Sequence, residues 1–167
     1  MNSNKIKYAE EWLNNAVDSL RQIFLMAGYI VPPVLISVGF GHRGYFPNDK
    51  EYLGWCYPKH LSDDQINEIY ISPFCTDPIQ LLYTIAHELI HAVDNCRNGH
   101  GREFKKIAKH IRHPDCGELN AIEILQTEVL YKSIADDLGA YPRKGVNFQQ
   151  GFNVPNPYYL ERTERYC

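Results

Sequence analysis

Leu81-Leu82-Tyr83-Thr84-Ile85-Ala86-His87-Glu88-Leu89-Ile90-His91-Ala92-Val93 is an apolar run broken by two histidines and a glutamate. Residues four apart share a face of an α-helix, so His87 and His91 can present both imidazoles to one metal ion. Glu88 is offset by one position, which turns its carboxylate toward a water on that ion rather than toward the ion itself. At about 100° per residue, Leu82, Ala86, Leu89 and Val93 form one stripe, and the two histidines lie on the opposite side. A core helix carrying incidental histidines is the plain alternative; only a metal-binding helix accounts for all three polar residues. Just upstream, Thr76-Asp77-Pro78 is a helix start, with Asp77 as N-cap and Pro78 at the first helical position. The helix is therefore expected over about residues 78–96, ending in the polar turn Arg97-Asn98-Gly99.

Working outward, Trp12, Ala16, Leu20, Ile23, Phe24 and Ala27 recur at helical spacing, so an amphipathic helix is expected over about residues 6–27, closed by Gly28. Pro32-Pro33 separate it from Val34–Phe40, whose β-branched content predicts a strand. Gly41 to Lys50 reads as a loop, Tyr52–Tyr57 as a second strand weakened by Gly54, and Ile66–Ser72 as a third strand stopped by Pro73. Beyond the motif helix, a helix over about 102–112 buries Phe104, Ile107, Ala108 and Ile111, and another over about 118–138 ends at Gly139. Pro142, Pro155 and Pro157 mark residues 143–167 as an irregular tail wrapped on a domain formed by residues 1–142. A helix, three short strands, then further helices make an α+β order rather than an alternating βαβ one.

The 167 residues suit one domain with its own core, and 44% hydrophobic against 22% charged residues is an ordinary globular composition. Seventeen basic and twenty acidic side chains give a net charge of −3, which excludes a chain-wide nucleic-acid affinity but not a local patch. Five cysteines, odd in number and without a CxxC pair, argue against a disulfide framework and against a zinc ribbon. Neither a signal-peptide core nor a membrane-length apolar stretch is read, so a reducing cytoplasm is expected, the host's if the source is viral.

A catalytic zinc site has three protein ligands and one open position. His100 is the best third ligand, because Gly99 and Gly101 let the backbone double back toward the helix face. Glu118, Glu123 and Glu128 are the carboxylate alternatives. Asp94 projects to the same side and suits a role orienting a histidine. Cys96 and Cys116 are read as small buried hydrophobes.

Thr84-Ile85-Ala86-His87-Glu88-Leu89-Ile90-His91-Ala92, followed by Gly99-His100-Gly101-Arg102-Glu103-Phe104-Lys105, resembles the SprT-like metallopeptidases, the group that includes Spartan. The likeness lies in HExxHA and the downstream GHGxxF. It extends more weakly to Leu53-Gly54-Trp55-Cys56, Ile69-Tyr70-Ile71-Ser72-Pro73 and Asp137-Leu138-Gly139-Ala140-Tyr141-Pro142, which are similar to segments of bacteriophage members. The resemblance implies a zincin-like fold, one zinc ion on His87, His91 and His100, and Glu88 as catalytic base. It also implies peptide-bond hydrolysis, with proteins crosslinked to DNA as the best-known substrates. The cysteine-rich zinc ribbon of many members is not found here, so nucleic-acid docking through such a module is not expected.

In that mechanism zinc activates a water and polarises the scissile carbonyl, while Glu88 moves the proton to the leaving nitrogen. Tyr141 and Arg143 are candidates for stabilising the oxyanion, with a core or turn aromatic as the plain reading of Tyr141. Substrate is expected to pair as an extended strand with the small sheet. Arg102, Lys105, Lys106, Lys109 and Arg112 fall on one helix face. A solvated surface is the plain reading of that face, and a patch making weak contact with DNA phosphates is the sharper one. The competing function is a zinc-containing binding module that recruits a protein or nucleic acid without significant hydrolysis. An intact Glu88 favours the enzyme, since a structural site has no use for a carboxylate over an open position.

Overall fold

A computed structural model of the chain describes residues 6–41 and 53–145. The order is α1 (Ala9–Met26), β1 (Val34–Val38), β2 (Gly54–Tyr57), β3 (Asn67–Ile71), α2 (Pro78–Val93), α3 (Arg102–His110) and α4 (Ala121–Leu138), so the architecture is α+β. Among the described residues no helix is long and apolar enough to cross a membrane. The expected loop from His42 to Lys50, Tyr52 of the second strand, and the tail from Val146 onward lie outside the described residues.

The strands form one mixed sheet in the order β1-β3-β2. β1 runs parallel to β3 with Ile36 opposite Ile69, and β2 runs antiparallel with Cys56 opposite the same residue. Asn67, Ile69 and Ile71 point inward along β3 while Glu68 and Tyr70 alternate outward, the period-two pattern of a sheet covered on one face. β3 is central, so β1 and β2 are the two edges of this sheet, and β2 is the one packed against α2.

α1 buries Trp12, Leu13, Ala16, Val17, Leu20 and Phe24 as one apolar face. The Trp12 indole donates to the Gly139 carbonyl at 3.0 Å and meets the Tyr141 ring edge-on at 5.3 Å, tying the first helix to the end of the last. Arg21 donates to the Val31 and Pro32 carbonyls and so satisfies the proline-rich link before β1.

α2 buries Leu81, Leu82, Ile85, Ala86, Glu88, Leu89, Ile90 and Ala92, and leaves Tyr83, Thr84, His87 and His91 partly exposed. Asp77 caps it by accepting from the Gln80 amide at 2.8 Å, with Pro78 in the first turn. The helix ends at Val93, three residues before the expected limit, because Asn95 and Cys96 turn to φ 56° and 58° and send the chain back. α3 likewise stops two residues early, where Arg112 takes φ 57° and the His113 amide closes on the Ala108 carbonyl at 2.7 Å. α4 starts at Ala121 rather than near 118, because Asn120 and Glu123 make a reciprocal capping box.

Candidate metal centre

His87 and His91 project from the open face of α2, and His100 comes back to meet them from the turn before α3. Their Nε2 atoms form a near-equilateral triangle, with 3.2 Å from His87 to His91, 3.2 Å from His91 to His100 and 3.0 Å from His100 to His87. Ligand nitrogens about 2.0–2.1 Å from a tetrahedral ion stand about 3.3–3.4 Å apart, so the triangle is within a few tenths of an ångström of a metal site.

The return of His100 depends on its neighbours. Asp94 accepts from the Arg97 amide at 3.3 Å and from the Asn98 side chain at 3.1 Å, which shapes the turn. Gly99 sits at φ +48°, in the left-handed region. At Gly101 a β-carbon would come within 2.9 Å of the Asn98 carbonyl oxygen, so only glycine permits the close backbone approach. Asp94 therefore shapes the turn that carries His100, and among the described residues its hydrogen bonds go to that turn rather than to a histidine, where its position suggests one.

The carboxylate that does orient a histidine is Asp115, which accepts from His87 Nδ1. That bond fixes the His87 proton on Nδ1 and leaves Nε2 as a bare lone pair facing the other two imidazoles. His113 holds Asp115 in place: its Nδ1 accepts from the Asp115 amide at 3.2 Å, while its Nε2 donates to the Tyr83 carbonyl at 3.0 Å. With both nitrogens committed, His113 is a support and not a fourth ligand. Sequence reasoning missed the pair. Asp115 is 28 residues from His87, and no spacing rule links a turn after α3 to the middle of α2.

Burial disfavours the charged form of His91, His100 and His113. It pushes His91 down to about 4, with His87 and His100 adding to the effect, and it lowers His100 and His113 as well. Asp115 is held below its ordinary range, chiefly by the hydrogen bond from His87. Three imidazole nitrogens converging on one point, with a carboxylate behind one of them, is a donor set that suits a transition-metal ion. Phe104 lies beneath all three rings, its centroid 4.8, 4.8 and 4.9 Å from those of His87, His91 and His100. It is fully buried and gives the cluster a dry floor.

Glu88 sits beside the triad and only 5% of its surface is exposed. Burial pushes its pKa up to about 7, against the lowering effect of His87 and with a raising contribution from Asp115. Gly54 in β2 packs against this side chain, where an added β-carbon would come within 2.7 Å of Glu88 Oε1 and 2.8 Å of Thr84 Cγ2. The glycine that weakens the strand in sequence terms is what lets the strand close on the glutamate. Leu53, Gly54, Gln80, Thr84, Glu88 and Asp115 help line a cleft of about 620 Å³ that opens over His87 and His100.

The other candidates lie elsewhere. Tyr141 is buried against Trp12, and neither it nor Arg143 lines the cleft. Glu118 pairs with Lys109 at 2.6 Å, Glu123 serves the α4 cap, and Glu128 is outside the histidine cluster, so none of these three takes the place of His100. Cys116 is buried in the core as expected, whereas Cys96 is half-buried against Cys56. Arg102, Lys105, Lys106, Lys109 and Arg112 are all exposed. Lys106 pairs with Glu103 at 3.8 Å, and Arg112 donates to Gln126. Comparison with known proteins adds no relative: no family model, no curated protein and no solved structure matches the chain.

Proposed function

We propose that this chain is a zinc-dependent endopeptidase of zincin-like fold, built on the pattern of the SprT-like metallopeptidases that its motifs resemble. The observation that carries the reading is the combination of three convergent Nε2 atoms with a buried Glu88 that lines the same cleft. Three imidazoles with an adjacent base and an unblocked side match a catalytic zinc site better than a closed structural one.

His87, His91 and His100 would hold the ion, with Asp115 fixing the His87 tautomer. Bound zinc supplies Lewis acidity, lowering the pKa of water from 15.7 toward about 7 and polarising a carbonyl. Glu88 takes the proton from the attacking water on a carboxylate oxygen and returns it to the leaving nitrogen; a carboxylate poised near neutral pH suits both transfers. Leu53 and Gly54 border the cleft, so an extended substrate runs along the β2 side. The same reading puts the enzyme in a cytoplasmic compartment. There Arg102, Lys105, Lys106 and Lys109 on the helix after His100, with Arg112 in the turn just beyond its end, make weak contact with DNA and favour DNA-associated proteins as substrates.

The test is incubation of the zinc-loaded full chain with DNA-bound and free proteins, alongside Glu88→Gln. The variant should keep about one zinc per chain and lose cleavage by 10²–10⁴-fold. Equal cleavage by variant and parent would overturn the role of Glu88 and the reading with it.

A further inference from the structure

Cys56 in β2 and Cys96 in the turn after α2 are 40 residues apart in sequence, and their sulfurs are 3.5 Å apart. Cys96 Sγ also lies 3.4 Å from the Cys56 carbonyl oxygen. Cys75 and Cys116 are buried in the core instead. The backbone on both sides of the pair is held. Asn95 Oδ1 accepts from the Lys59 amide at 2.9 Å and from the Asn67 side chain at 3.1 Å, so the turn is bonded to the chain just after β2 and to β3. Cys96 itself sits at φ 58°, a conformation that aims its side chain back at the strand. A disulfide has its sulfurs about 2.05 Å apart, so a closing movement of about 1.5 Å converts this contact into a bond.

We propose that Cys56 and Cys96 form a dithiol–disulfide pair, a modification site oxidised by a small-molecule disulfide such as oxidised glutathione. Cys96 sulfur, as thiolate, attacks one sulfur of the small molecule, forming a mixed disulfide and releasing the first thiol. Cys56 sulfur then loses its proton and attacks Cys96 sulfur, forming the intramolecular bond and releasing the second thiol. Two electrons pass to the small-molecule disulfide, and the two cysteine protons end on the released thiols. The order follows from the pair itself: contact with Cys56 holds the Cys96 thiol below its ordinary range, while the same contact and burial push Cys56 up. The bond would tie the strand whose Gly54 closes on Glu88 to the turn that delivers His100. Closing a loop of this length should raise the melting temperature by about 10 °C.

The experiment equilibrates the purified full chain in glutathione mixtures of increasing oxidising strength, blocks free thiols and digests with trypsin without reductant. Cleavage after Lys59 separates Cys56, in peptide 51–59, from Cys96, in peptide 60–97. The expected result is that the two peptides run as one species, two hydrogens lighter than their sum, which dithiothreitol resolves. Cys56→Ala should remove both the linked species and the rise in melting temperature. Cys96→Ala should do the same, which separates Cys96 from Cys75 in the same peptide. Free thiols, or separate glutathione adducts on the two cysteines, throughout the series would overturn the proposal. The mapping on the parent chain needs neither metal nor turnover, so its outcome is independent of the peptidase reading.

Discussion

Asp115 accepts the hydrogen bond from His87 Nδ1 and so decides which nitrogen of that ring is free to bind. Asp115→Asn keeps the size but loses the charge, and metal affinity should fall by about 10–100-fold in competition with a chelator. Asp94→Asn, which alters the turn and not a ligand's tautomer, should change affinity less. Gly54 acts on the base in the same way that Asp115 acts on a ligand. A β-carbon there would collide with Glu88 Oε1 and Thr84, so the strand or the carboxylate must move. Misplacing a catalytic group by about 1 Å costs about 10²-fold. Gly54→Ala should therefore bind metal like the parent while cleaving about 10²-fold more slowly, and normal cleavage would show that the strand can yield.

At the scale of elements, the site depends on where helices stop. α2 ends in left-handed residues rather than running on, and this reversal brings His100 within reach of His87. The next break, between α3 and α4, carries His113 and Asp115 back to α2 through a short helical turn at Pro114–Cys116. The cap of α4 lies beyond these contacts and separates stability from metal chemistry. Asn120→Ala removes the side chain that accepts from the Ile122 and Glu123 amides, both at 3.0 Å. It should cost about 1 kcal/mol and lower the melting temperature by about 2–4 °C, with zinc stoichiometry unchanged. A loss of metal in that variant would mean that α4 supports the site more directly than its contacts indicate.

Over the whole molecule, the net charge of −3 coexists with a helix whose outer face is basic. Lys109 and Lys106 already have carboxylate partners, which lowers the charge available to a phosphate. If all five basic residues made phosphate contacts, log affinity would fall with log salt at about −0.9 per contact on duplex, about −4.5 in all. With two of the five neutralised locally, a slope nearer −3 is expected, and reversal of Lys105, Lys106 and Lys109 to glutamate should abolish binding while short-peptide cleavage persists. Absence of binding at low salt would return this face to the solvent.

Local features are legible in the amino-acid sequence alone. The 3.6-residue period, the Asp77-Pro78 start and the glycines flanking His100 are written in contiguous residues. They sufficed for the four helices, the three strands, and His87, Glu88, His91 and His100 as candidates. The ends of α2 and α3 fall three and two residues short of the expected limits, because left-handed turns at Asn95, Cys96 and Arg112 carry no glycine to announce them. Only the tertiary structure decided the sheet order, with β3 central and β2 against α2. It alone brought Asp115 to His87, set Gly54 on Glu88, put Phe104 beneath all three rings, and removed Tyr141 from the cleft to pack on Trp12. Those contacts join residues tens of positions apart. Their partners are chosen by which surfaces exclude water together, and no pattern within a single segment encodes that choice.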